Sequence, residues 1–330
     1  MKVRVATAGD HPWNREAQAA VEEVARMDRF GEHALVTDAG EADLILFVDL
    51  HQHLTDWTMR TLRHHPLVRE FPDKAFVYDE RDVPRDALPG IYVAMPRAGF
   101  DVQRHCAFGY YRLMADTRTV ANDEPDLLFS FLGRRVRTVR DDMLGLSHPR
   151  AIVEDTSAYD FFGPTHRGLT DARNRYREVL GRSKFVLCPR GAGVASMRLF
   201  ETLACGRVPV VLSDDWVPPA GIDWESCSVR IPEHEAGAVA GHLEALEPHW
   251  PTMSAGARRV YDEWFAPDVW FHRAVELCGE LLENGATGLR RQWTHPVIWR
   301  DGARLWKSKA VRAARSSRGI RSEAEKRERA

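Results

Sequence analysis

The stretch from Ser183 to Trp216 constrains this chain more than any other. Phe185 to Cys188 is a short apolar run closed by Pro189, and Val208 to Leu212 is a second such run. Neither alternates polar with apolar residues, so each reads as a strand buried on both faces, as in a parallel sheet. Between them lie a cationic glycine loop, Arg190-Gly191-Ala192-Gly193, and a segment, Met197 to Cys205, whose Leu199, Phe200, Leu203 and Ala204 fall at helical spacing. Ser196 precedes that segment as an N-cap candidate, and Gly206 follows it as a C-cap. Parallel strands need a crossover, and the helix supplies one, so the stretch is a βαβ unit.

Such a unit has a preferred ligand position, beyond the carboxyl ends of its strands and against the helix start. A glycine turn lets the backbone approach a phosphate, and the helix N-terminus supplies N–H groups and partial positive charge. Arg190 and Arg198 are placed to add charge-assisted bonds. Glu201, one turn into the helix, would repel a phosphate and suits a sugar or ribose hydroxyl instead. The bare pattern is equally consistent with a plain glycine loop and a solvated glutamate, because the third glycine of a dinucleotide fingerprint is missing.

Three segments in order, Ser183 to Gly191, Ser196 to Glu201 and Gly206 to Asp215, resemble the C-terminal signature of exostosin-type glycosyltransferases. The likeness continues through Ile222-Asp223-Trp224-Glu225 and Ser228-Val229 and covers about Leu127 to Pro232. The resemblance implies an α/β fold of GT-B architecture, with two Rossmann-like domains facing a central cleft. It also implies a nucleotide-diphosphate sugar, usually UDP-linked, on the C-terminal domain, and transfer with inversion. By position, it puts Arg190, Gly191, Ser196 and Arg198 around the diphosphate, Glu201 at the ribose or sugar, and Asp214 and Asp215 near the cleft. Leu127 to Leu132 restarts an apolar strand closed by Gly133, followed by Arg134, Arg135, Arg137 and Arg140. Exostosin-like chains also show a strand, a Gly and an Arg at this point. This first βα turn of the donor domain is where arginine would meet phosphate oxygens, which adds Gly133, Arg134 and Arg140 to the expected donor site.

The N-terminal part alternates short apolar runs (Val3 to Ala8, Ala34 to Thr37, Leu44 to Val48, Ala75 to Tyr78, Gly90 to Met95) with helical spacing from about Arg15 to Met27. That alternation argues for a second doubly wound sheet. Polar residues gather where its strands end. An inverting transfer needs a base for the acceptor hydroxyl proton, and His11, Asp79 and Glu80 are the leading candidates, with Asp10, Asp49, His51 and His53 competing. His51 and His53 lack a recognisable third ligand, and Asp214-Asp215 is adjacent rather than alternating. The expectation is metal-independent chemistry with no cofactor, the leaving group being met by arginine and helix N-termini.

The expected domains are an acceptor domain over 1–120, a nucleotide-sugar domain over 121–290 with a helical C-terminus, and a basic segment over 291–330. From Arg290 onward the chain carries 13 Lys or Arg against 4 Asp or Glu, and Trp299, Ala303, Trp306 and Ala310 form an apolar stripe. A basic amphipathic helix of this kind suits an anionic membrane surface, so 291–315 is a candidate peripheral contact at the inner face of the membrane. Trp293, Trp299 and Trp306 also fit docking back onto the first domain. The overall net charge of −2 implies no general affinity for nucleic acid. Five cysteines without a paired spacing, and no apolar run of membrane-spanning length, fit a cytoplasmic protein. The function expected is transfer of a sugar from a UDP-sugar to a hydroxyl of a glycan, glycolipid or small metabolite. The rivals are a GT-B nucleotide-sugar epimerase, which needs no acceptor, and a relative that binds nucleotide sugar or glycan without turnover.

Overall fold

The computed structural model describes residues 1–10, 12–48, 59–113, 124–158 and 169–289. Two all-parallel sheets share one strand order. The first contains β1 (Lys2–Thr7), β2 (Ala34–Leu35), β3 (Leu44–Val48), β4 (Ala75–Asp79), β5 (Gly90–Tyr92) and β6 (His105–Cys106), arranged β2-β1-β3-β4-β5-β6. The second contains β7 (Leu127–Gly133), β8 (Ala151–Asp155), β9 (Ser183–Pro189), β10 (Val208–Leu212) and β11 (Val229–Arg230), arranged β8-β7-β9-β10-β11. In each sheet the chain steps outward to one neighbour, then jumps back across its first strand. The order therefore reverses between β1 and β3, and again between β7 and β9. Such reversals open a crevice at the carboxyl edge of a doubly wound sheet.

The central strands are apolar because both faces are covered. Every residue of β3 and of β7 is buried. The polar side chain in β7, Ser130, is satisfied by the Ser183 hydroxyl at 2.8 Å, which also lies 2.6 Å from the Val179 carbonyl. The helices are α1 (Pro12–Arg26), α2 (Arg60–Arg63), α3 (Pro66–Glu70), α4 (Thr138–Leu144), α5 (Leu169–Arg182), α6 (Met197–Ala204), α7 (Val239–Leu246), α8 (Trp250–Val260) and α9 (Pro267–Glu283). Gly206, at φ +64°, ends α6 in the left-handed region that glycine adopts without strain.

The helix α9, which the sequence grouping put in 121–290, crosses back to the first sheet. It shares a core with α1, β1 and β5, donates from Trp270 Nε1 to the Gly109 carbonyl at 3.1 Å, and accepts at Asp268 O from Arg29 N at 2.9 Å. The reason is its burial pattern: Trp270, Phe271, Ala274, Val275 and Cys278 are all buried, a face too wide for one neighbour. Gly109 lies where this crossing is tightest. A Cβ there would lie 2.6 Å from Phe265 and 2.8 Å from Phe200. The docking expected of Trp293, Trp299 and Trp306, the basic segment 291–315 and most of the linker near 116–126 lie outside the described residues.

The sheets meet carboxyl edge to carboxyl edge. Asp82, after β4, accepts through Oδ1 from Gly193 N at 3.1 Å. Arg97, after β5, donates from its backbone to Asp215 O at 2.9 Å and from Nη2 to Trp216 O at 3.2 Å. This is the two-domain GT-B arrangement expected from the sequence. No helix of the described residues is long and apolar enough to cross a membrane.

Candidate functional site

The second sheet's reversal point lies between the ends of β7 and β9, and the expected donor residues gather there. At Gly133 the Phe131 ring folds over the strand end, so that a Cβ would meet it at 2.4 Å. On that ring stack two guanidiniums, Arg198 at 4.9 Å and Arg140 at 5.9 Å from its centroid, and Arg198 also lies 5.9 Å from the Tyr176 centroid. The aromatic faces offset part of the cost of holding these charges close together.

Arg140 was expected at the donor phosphates. Its donors go instead to three backbone carbonyls: Nε to Arg190 O at 2.9 Å, Nη2 to Pro189 O at 3.3 Å and Nη1 to Arg134 O at 3.5 Å. Burial first, and Arg198 next, pull its guanidinium down to about 9. Arg137, absent from the expected site, acts alike, reaching Gly191 O at 3.2 Å and Ala192 O at 2.7 Å. These two arginines fix the course of the 189–192 loop. Gly191 passes close beside them, where a Cβ would lie 3.2 Å from Arg140 Nη2. Arg134 is half-buried and has no carboxylate partner among the described residues.

Ser196 occupies the N-cap position of α6 with extended backbone, but its side chain makes no capping bond, which corrects that part of the expectation. Two residues on, Arg198 donates from Nη2 to the Leu132 carbonyl. Its Nε and Nη1 are buried without a hydrogen-bond partner among the described residues. Buried charged donors left unmade are costly, and such a group marks a place where an acceptor belongs. On the next turn Glu201 is 5% exposed and accepts from Tyr176 Oη at 2.7 Å. Burial, and then Glu201, hold the Tyr176 phenol well above its ordinary range.

The acidic residues after β10 serve the scaffold. Asp214 and Glu233 cap each other's backbone N–H, both at 3.1 Å. Asp215 lies 3.6 Å from Arg190 Nη1, with Glu233 at 3.9 Å, so Arg190 is held among carboxylates. Across the cleft, Asp79 is fully buried and its oxygens take Arg81 Nε at 2.9 Å, Arg81 Nη2 at 2.6 Å and Arg81 N at 3.0 Å. A carboxylate so enclosed anchors its loop and is not positioned to receive a proton from an acceptor, which corrects its candidacy as the base. Glu80 is half-buried beside Tyr78 Oη at 3.4 Å. The buried Tyr110 phenol is pushed up first by burial, then by Asp82, Glu80 and Glu201, so acids of both domains converge on this ring. His11, Asp49, His51 and His53 lie outside the described residues. Among the described residues no three His, Cys, Asp or Glu side chains gather in a way that could hold a metal ion.

Tyr176, Asp82 and Tyr110 escaped the sequence argument. Tyr176 carries no local signal, being 25 positions before its partner on another helix. Asp82 was visible as a strand-end acid, yet its contact with Gly193 is a matter of domain packing.

Two parallel sheets meeting at their carboxyl edges, with a cationic cluster at one reversal point, define a protein of the GT-B class. Residues 96–246 match the family model described as the exostosin GT47 domain. It is 38% identical over 95 residues to the Exostosin-1 homolog of Caenorhabditis elegans, covering 28% of this chain and 25% of that protein. It is 33% identical over 159 residues to Exostosin-1 of Drosophila melanogaster, covering 42% and 21%. It is 38% identical over 145 residues to the probable glucuronosyltransferase GUT1 of Oryza sativa subsp. japonica, covering 41% and 35%. The matched part of the chain therefore spans between about a fifth and a third of the length of these relatives. A glycosyltransferase from Rickettsia africae ESF-5 aligns over 86% of this chain and 98% of its own, at 10% identity and a TM-score of 0.44, a likeness too distant to carry an inference.

Proposed function

We propose that the chain is a glycosyltransferase that moves a sugar from a nucleotide-diphosphate donor, UDP-linked, to a hydroxyl of a glycan, glycolipid or small-molecule acceptor, with inversion. The observation that carries this reading is Arg198, whose Nε and Nη1 are buried at the reversal point of the second sheet without a partner among the described residues. A diphosphate seated there would receive those two donors, the charge of Arg134 and the N-terminus of α6 near Ser196. Glu201, oriented by Tyr176, accepts from a ribose or sugar hydroxyl.

In the transfer, a lone pair of the acceptor oxygen forms a bond to the anomeric carbon from the face opposite the diphosphate. The bond from that carbon to the diphosphate oxygen breaks, and the diphosphate leaves with the electron pair. Inversion follows from this opposite-face attack. The acceptor proton passes to a carboxylate on the N-terminal side of the cleft. Glu80 fills that role better than the enclosed Asp79, and His11 remains its competitor. Arg134 and Arg198 meet the charge growing on the leaving group, worth several kcal/mol when such donors are preorganised. In this reading they do so without a metal ion. The retained arginines and glutamate favour transfer over mere binding.

Calorimetry against UDP-, GDP-, ADP-, dTDP- and CMP-linked sugars, each with and without Mg²⁺, tests the reading. Binding of UDP species that persists without Mg²⁺ and falls at least tenfold in Arg198→Ala is the expected result. Equal binding by wild type and Arg198→Ala would overturn the donor site.

A further inference from the structure

The loop between α1 and β2 lies along α9, the helix that crosses back to the first sheet. At the start of α9, Arg29 donates from its backbone to the Asp268 carbonyl at 2.9 Å. One turn along, the Phe30 ring stacks on that of His272, with 4.0 Å between centroids and 19° between planes. His33 stacks on His272 as well, at 4.9 Å and 29°. Met1 joins the same group from the start of β1. Its Sδ lies 3.1 Å from where a Cβ on Gly279 of α9 would stand.

The Met1 contact needs a neutral His33. The Met1 amino group lies 3.1 Å from His33 Nδ1. An ammonium has no lone pair, so it donates, Nδ1 accepts, and the ring proton of His33 lies on Nε2. That Nε2 is buried with no hydrogen-bond partner among the described residues, and so is His272 Nδ1. A second proton on His33 would occupy Nδ1, facing a donor, and would set a charge against the buried His272 ring.

Charged groups face His33 from each element packed on it: the Met1 ammonium beside β1, Asp28 in its own loop and Glu276 on α9. Asp28 Oδ2 already accepts from Gly31 N at 3.1 Å. Glu276 is shared between His272 Nε2 at 3.2 Å and Arg273 Nη1 at 3.0 Å. Burial first, then the Met1 amino group and His272, hold His33 below the ordinary imidazole value of 6.5, against the opposite pull of Asp28 and Glu276. The unfolded chain therefore takes up this proton first. The stability that His33 contributes is whole above its ordinary value and is lost as pH falls below it.

We propose that His33 is the trigger of an acid-operated clasp: when it takes up a proton, the loop 28–33 and Met1 let go of α9, and the helix loosens on the first sheet. The clasp shares no residue with the proposed donor site and stands apart from the transferase reading.

The test uses the full chain. Histidine ring signals, assigned with His33→Gln and followed by proton–nitrogen NMR from pH 8 to pH 5, give the His33 midpoint directly, which should lie below 6.5. Amide hydrogen exchange at pH 7.5 and pH 5.5, corrected for the intrinsic effect of pH, reads the opening. Protection in 27–33 and 267–283 should fall by about tenfold at the lower pH, while β3 and β7 keep theirs. His33→Gln, whose amide oxygen still accepts from Met1 N but takes no proton, should keep its protection in both segments. A His33 midpoint at or above 6.5 overturns the proposal, as does a loss of protection spread evenly over both sheets, no loss at all, or an equal loss in His33→Gln. Should His33→Gln fail to fold, the wild-type midpoint and the pattern of exchange decide the matter alone.

Discussion

Tyr176 Oη stands 2.7 Å from the Glu201 carboxylate, joining α5 to α6 at the floor of the proposed donor site. A hydrogen bond to a charged group contributes about 1.5–3 kcal/mol. Tyr176→Phe removes it while keeping the ring on which Arg198 stacks. A merely structural bond would lower the melting temperature and leave donor affinity alone. The positioning role predicts a donor KM raised about tenfold with a smaller change in kcat, and a larger loss still in Glu201→Gln. Steady-state kinetics with varied donor distinguishes these, and an unchanged donor KM in both variants would remove Glu201 from the site.

Asp79 and Glu80 are adjacent, yet the structure predicts opposite phenotypes. Asp79 and Arg81 form a buried pair, 0% and 8% exposed at their side chains. Removing one partner of such a pair costs about 3–5 kcal/mol because the other charge stays buried. Asp79→Ala should therefore lower the denaturant midpoint sharply. Glu80→Gln is isosteric at a half-buried position and should fold normally, while kcat falls by about 10²–10⁴ if it takes the acceptor proton. A Glu80→Gln enzyme of wild-type kcat would return the assignment to His11.

Stability should fall steeply in alkali. Burial holds the phenols of Tyr78, Tyr92, Tyr110 and Tyr176 well above their usual range. It also pushes the thiols of Cys106, Cys188 and Cys227 to about 12 and that of Cys205 to about 11, with Cys278 raised further. Above about pH 9 the unfolded chain releases protons that the folded chain keeps, so the unfolded state binds fewer protons and stability drops as pH rises. Each group whose two states differ fully contributes about 1.4 kcal/mol per pH unit. Arg140 and Arg85, pulled down by burial to about 9 and about 10, act in the opposite sense but are two groups against nine. Urea midpoints at pH 8, 9 and 10 check the sign; a midpoint that is level or rising across this series would contradict it.

The second sheet was legible because its strands are buried on both faces, and continuous apolar runs such as Val208–Leu212 announce that directly. The glycines and arginines of the reversal point were legible as a family signature, but their division of labour was not. Sequence places Arg140 and Arg198 alike near a phosphate. Only the fold shows that Arg140 spends its donors on carbonyls while two of Arg198 find no partner among the described residues. The short strand β6, paired through Gly90↔His105 and Ile91↔Cys106, had no periodicity to reveal it, since two residues make no pattern. The part of Trp270 in the crossing of α9 was not legible, because helical spacing reports that a face is apolar but not what covers it.

The contact between Gly193 and Asp82 ties the donor loop to the other domain. A Cβ on Gly193 would lie 2.9 Å from Asp82 Cα, 3.0 Å from its Oδ1 and 3.1 Å from its carbonyl oxygen. Two of those atoms are backbone, so Gly193→Ala has to move the loop or part the domains. Asp82→Asn keeps an oxygen for the Gly193 N–H, whereas Asp82→Ala does not. If the contact sets the closed cleft, Gly193→Ala and Asp82→Ala should change kcat and KM together, as hinge and closure variants do. Asp82→Asn should stay close to wild type. Small-angle scattering of the four proteins should show the first two more expanded, with thermal stability lowered by no more than a few degrees. If Asp82→Asn were as impaired as Asp82→Ala, the carboxylate charge, and not the bond to Gly193, would be what matters, and Asp82 would join Glu80 as a candidate for the proton.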